Sequence, residues 1–181
     1  MLSHVLQFFA ALIVFVCIHE MGHVIAARIC GYRQARFHLV HIKDGKVTLA
    51  VTDAPLHLFS DRQNIWISMA GVLGTRFCAE VMLLGTQVFS GEKTSWMATF
   101  WISLFLLLRT DLFLYTLRNI LGRYLLRTPQ GDQDISLAAM FLEKTTGRPE
   151  HFWFVLLGGL ALLELCLGLP RMMDAVLSRL T

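Results

Sequence analysis

Residues 5–27 form a strongly apolar stretch, and near its inner end it carries His19-Glu20-Met21-Gly22-His23. A run of this length spans a bilayer, and it must do so as a helix because lipid offers no partners to an open backbone. Helical geometry then puts the two histidines, four residues apart, on one face and one turn above each other. Each ionisable group costs about 2.5 kcal/mol or more in hydrocarbon, so three of them together imply a site. An HExxH pattern on a helix supplies two imidazole ligands for zinc, with the glutamate placed as a general base.

The remainder of the chain is equally oily. Hydrophobic residues make up 55% of the 181, with a mean hydropathy of +0.58, which fits an integral membrane protein. Four spans are predicted, at about residues 5–29, 65–89, 96–117 and 152–169. The first has no basic segment before it and continues into the HExxH turn, so it reads as a retained helix and not a cleavable signal. The expected fold is an all-α polytopic membrane protein with a small β-hairpin after the first helix. A core at 1–150 is followed by a fourth span and a short amphipathic, interfacial tail at 151–181.

Charge sets the expected orientation. Eleven basic residues lie in the two long loops, from Arg28 to Arg62 and from Arg118 to Arg148, against Lys93, Arg171 and Arg179 on the other side. The positive-inside rule places both loops in the cytoplasm and both termini outside. The basic residues are spread singly, which argues against a nucleic-acid patch.

Two β-rich runs flank Asp44-Gly45 and predict a hairpin over 37–51. Within it, His38 and His41 are three apart, so strand alternation points them to opposite faces. In the second span, Ser68, Gly71, Gly74 and Thr75 are small residues that let helices approach closely. Arg76 and Glu80 stand four apart and predict a local ion pair. Cys17, Cys30, Cys78 and Cys166 form no CxxC pair and read as packed thiols.

A catalytic zinc takes three protein ligands, so a third must come from elsewhere. The carboxylates at membrane depth are Glu80, Asp111, Asp132, Asp134 and Glu164. Glu80 has Arg76 beside it, and Glu164 lies well across its span. Asp111 reads as a buried polar group that stays among the possible ligands. Asp132 and Asp134 both fall at the N-terminus of the helix predicted over 135–144, where either reads as an N-cap. Asp132 follows the breakers Pro129 and Gly131, is unpaired, and comes to the same side as His23, which lies roughly 8 Å from its helix end at about 1.5 Å per residue.

Taken together, His19-Glu20-Met21-Gly22-His23, Asn119-Ile-Leu-Gly122, Pro129-Gln-Gly-Asp132 and Gly71-Val-Leu-Gly74 resemble the motifs of the site-2 protease family of intramembrane zinc metalloproteases. The resemblance covers roughly residues 5–142, with Gly122 and Gln133 where that family usually has Pro and Gly. It implies a zinc ion held by His19, His23 and Asp132, with Glu20 as the base and Asn119 as a donor to the developing oxyanion. It further implies hydrolysis of peptide bonds in membrane-embedded proteins, with a single-span or signal-peptide-like segment as substrate and no nucleic-acid partner. Two other readings stand beside it. One is a membrane zinc-binding protein without catalysis, against which the intact Glu20 argues. The other is a membrane protease whose third ligand is a glutamate, Glu80 or Glu164. A haem-binding bundle is disfavoured, because histidines one turn apart on one helix cannot flank a haem.

Overall fold

A computed structural model describes residues 2–43, 46–88, 98–121 and 134–180. In chain order these form α1 (Leu2–Ile29), β1 (Arg36–Lys43), β2 (Lys46–Asp53), a 3-10 turn at Leu56–Leu58, α2 (Asp61–Val88), α3 (Ala98–Ile120), α4 (Asp134–Thr146) and α5 (Glu150–Leu180). Among the described residues, four helices are long and apolar enough to cross a membrane: Leu2–Ile29, Asp61–Leu84, Thr99–Asn119 and Glu150–Gly168. The architecture is mostly helical, with one two-stranded antiparallel sheet after the first helix, as the sequence predicts.

Local chemistry explains where the elements start and stop. α1 ends in a Schellman arrangement: Gly31 takes φ 105°, and Tyr32 N–H reaches back to the Ala27 carbonyl at 3.0 Å. The chain then folds back, and the Arg28 guanidinium donates to the carbonyl of buried Ala35. α2 opens on a capping box. Ser60 Oγ accepts from Gln63 N–H, while Gln63 Oε1 accepts from Ser60 N–H at 2.9 Å. Buried Asn64 holds the 3-10 turn against α2 through the Leu56 and Phe59 carbonyls. α4 stops at Gly147, again with positive φ, and Pro149 precedes α5. α5 runs on through Pro170, after which the sequence predicts a short amphipathic, interfacial helix. The proline removes the bond to the Cys166 carbonyl without ending the helix.

Three apolar clusters hold the bundle. Ala11 and Phe15 of α1 meet Ala79 of α2 and Leu104, Phe105 and Leu108 of α3. Val24, Ala26 and Ala27 of α1 meet Ile67 and Ala70 of α2, with Phe37 of β1 packed against them. Ile135 and Ala139 of α4 meet Phe154 and Leu157 of α5, with Met69, Leu112 and Tyr115 alongside. His19, Glu20 and His23 lie on α1 between the first two clusters.

The hairpin pairs Arg36 with Asp53, Phe37 with Thr52, His38 with Val51 and Val40 with Leu49. Asp44 and Gly45 at its tip lie outside the described residues. The Leu39–Ala50 step is missing from the ladder, and Ala50 there takes φ 54°, left-handed for a residue with a Cβ. The rings of His38 and His41 stand 5.4 Å apart and do not point to opposite faces as the spacing alone predicts.

Candidate metal centre

The two histidines reach the bundle interior because α1 packs that face on α2. Gly22 makes the approach possible: a Cβ there would sit 2.9 Å from Gly71 Cα, and one on Gly74 would sit 3.5 Å from Gly22 Cα. Small residues on both helices thus bring the backbones close.

Each histidine is committed at Nδ1. His23 Nδ1 donates to the Ile67 carbonyl at 2.6 Å. His19 Nδ1 faces Asp111 Oδ2 at 2.8 Å. Both partners are acceptors, so the proton of each neutral ring belongs on Nδ1 and each Nε2 presents a lone pair. The two Nε2 atoms are 3.1 Å apart. Asp134 Oδ2, at the first residue of α4, lies 3.0 Å from His19 Nε2 and 3.2 Å from His23 Nε2.

This triangle fits a metal. Three electron-pair donors converge, and one proton among them satisfies only one pair. A tetrahedral zinc with ligands at about 2.0–2.1 Å requires ligand atoms about 3.3 Å from one another, close to the observed separations. The three residues form a cluster able to hold a metal ion. Asp134 is suited to the part. Its Oδ2 faces both Nε2 lone pairs, so a cation held between them relieves the mutual repulsion of three electron-pair donors. The α4 N-terminus adds a favourable dipole.

Gly71 leaves the necessary room. A Cβ at this position would stand 2.5 Å from His23 Nε2 and 2.6 Å from His19 Nε2, inside the triangle's own space. Gly71→Ala is therefore expected to lower metal occupancy with the helices still folded. Metal analysis beside a circular-dichroism spectrum checks this, and full occupancy in the variant would refute it.

Glu20 is buried next to the triangle and is not one of its corners. Its Oε2 accepts a hydrogen bond from Thr52 Oγ1 at 2.6 Å, so β2 anchors this carboxylate. Asn119 has both ends of its amide engaged: Nδ2 donates to the Tyr115 carbonyl at 2.6 Å, and Oδ1 accepts from Ser136 Oγ at 2.6 Å. That bonding makes it a strut between α3 and the segment that carries Asp134. Asp132 lies outside the described residues.

The other carboxylates are engaged elsewhere. Glu80 and Glu164 join Arg76 and Arg109 in an ion-pair network across α2, α3 and α5. Arg76 Nη2 meets Glu80 Oε1 at 3.0 Å, Arg76 also meets Glu164, and Arg109 meets Glu80. The local Arg76–Glu80 pair of the sequence is present as one edge of this larger figure. Two cations offset two anions, the arrangement expected where charges lie within membrane spans.

Four contributors were not assigned to the site from sequence: Asp134 as a corner, Thr52 on Glu20, Thr75 on Asp111, and Tyr115, whose ring stacks on His19 at 4.4 Å and 9°. A charged residue in mid-span was the available signal for Asp111. Thr75, one turn after Gly71, shares the α2 face that meets α1. Comparison of the chain with protein-family models, with curated proteins and with solved structures returned no match.

Proposed function

We propose that this chain is a zinc-dependent intramembrane endopeptidase of the kind its motifs resemble, the site-2 protease family. The observation that carries the reading is the division of labour on α1. His19 and His23 turn their Nε2 atoms to Asp134, while Glu20 stands beside them as a buried carboxylate outside the triangle. A site that only bound metal would have no use for that fourth group. Two imidazoles and one carboxylate are a donor set of catalytic zinc.

When bound, the metal lowers the pKa of water and polarises a peptide carbonyl. His19, His23 and Asp134 would hold it, with Nδ1 of each ring fixed from behind. Glu20 takes a proton from the attacking water and returns it to the leaving amine, so the carboxylate ends the cycle as it began. Thr52 orients that carboxylate through Oε2. An extended substrate segment pairs along the hairpin, whose Val40, Ile42 and Val47 are exposed. The substrate is a membrane-embedded segment, and the site opens toward the cytoplasm.

The test is cleavage of a reporter with an apolar spanning segment by purified protein in proteoliposomes. Stripping the metal with a chelator should abolish cleavage, and stoichiometric Zn2+ should restore it. Cleavage that survives complete metal removal would refute the reading. Bound zinc with no cleavage of any membrane-embedded substrate would leave a metal-binding protein only. Orientation has its own check. Reporter fusions at Lys46 and Lys144 should mark the cytoplasm and one at Glu92 the opposite side, and Lys46 and Lys144 on different sides would exclude this topology.

A further inference from the structure

Asp111 is the buried ionisable group that the proposed chemistry leaves idle. It sits in the middle of α3 with 1% of its surface exposed, between His19 at 1% and Thr75 at 0%. A carboxylate in such a place costs several kcal/mol unless something compensates it. Its bonding is lopsided. Oδ2 faces His19 Nδ1 at 2.8 Å and accepts from Thr75 Oγ1 at 2.6 Å, while Oδ1 has no hydrogen-bond partner among the described residues. A purely structural carboxylate would use both oxygens. This one gathers both of its bonds on Oδ2, one of them with the His19 ring, and tolerates an orphaned Oδ1.

The geometry points to Asp111 and Thr75 as positioning residues of the metal centre: Asp111 fixes the His19 proton on Nδ1 and strengthens Nε2 as a donor, and Thr75 fixes the carboxylate. Three helices meet in this chain of contacts, His19 on α1, Thr75 on α2 and Asp111 on α3. Tyr115, one turn further along α3, stacks on the flat face of the same ring at 4.4 Å. In-plane and out-of-plane motions of His19 are thus both restrained. His23, by contrast, rests on a neutral backbone carbonyl. The negative charge behind His19 makes it the stronger of the two imidazole donors, as carboxylates behind metal-bound histidines do. The inference rests on the metal-centre reading and deepens it.

Asp111→Asn tests it. Both donors already go to a single oxygen, so the amide oxygen of Asn can take both bonds. A neutral amide is also cheaper to bury than a carboxylate, so the variant is expected to keep the fold, which a circular-dichroism spectrum checks. Its zinc affinity, measured by competition with a chromogenic chelator, should fall about 10–100-fold. The visible spectrum of the Co2+-loaded variant should keep the parent's intensity, because the ligand set is unchanged. Thr75→Val should weaken zinc in the same direction by less, and Thr75→Ser should restore it. Equal affinity for Asp111→Asn and parent overturns the inference and leaves the metal centre standing. A changed Co2+ spectrum in Asp111→Asn also overturns it, since Asp111 would then be a ligand. Failure of the parent to bind Zn2+ or Co2+ would remove the metal centre and this inference together.

Discussion

Glu20→Gln is expected to abolish peptide hydrolysis and leave the metal in place. The triangle of His19, His23 and Asp134 does not include Glu20, so its replacement removes no corner. Gln has the same shape, and its amide oxygen can still accept the Thr52 hydroxyl that Oε2 now accepts at 2.6 Å. What disappears is the capacity to take a proton. Loss of a positioned general base costs about 10^2–10^4-fold in rate. Metal content of the purified variant beside its cleavage rate decides the matter. Cleavage at the parent's rate would strip Glu20 of its role, and loss of metal with activity would make it a ligand.

Asp134→Ala is expected to release the metal and the activity together. The motif resemblance points to Asp132, whereas the geometry sets Asp134 Oδ2 3.0 and 3.2 Å from the two Nε2 atoms. The two aspartates make a direct comparison. Groups behind a ligand are worth about 10–100-fold in affinity, so the loss of a ligand itself should exceed about 100-fold. Asp132→Ala should retain metal. The reverse outcome, with metal lost from Asp132→Ala and kept by Asp134→Ala, would return the third corner to Asp132. The Asp134 side chain is 22% exposed, so alanine here leaves no large cavity and the fold should survive.

What the sequence makes legible and what it leaves to packing divide along physical lines. The bilayer requires about 20 apolar residues per span, so the four spans can be counted from composition alone. They recur in the structure within a few residues. The hairpin was legible from its two β-rich runs. The pairing of His19 with His23 follows from a helical turn, a contact set by near neighbours. The rest of the site is made of contacts across long stretches of chain. Asp111 meets His19 from 92 residues away and Asp134 from 115. Over such distances, spacing carries no information about approach. Glu80, Asp111, Asp132, Asp134 and Glu164 are equivalent as letters in or beside apolar spans. Asp132 and Asp134 alike read as ordinary N-caps, because a cap and a ligand ask for the same residue at a helix start. Helix packing separates them. The Gly22–Gly71–Gly74 contact brings α1 onto α2, and the Asn119–Ser136 bond holds the start of α4 against α3. Local spacing was enough to set two imidazoles and a carboxylate on one helix of an apolar span. Which distant carboxylate meets the histidines, and which one stands behind them, depended on how the helices pack.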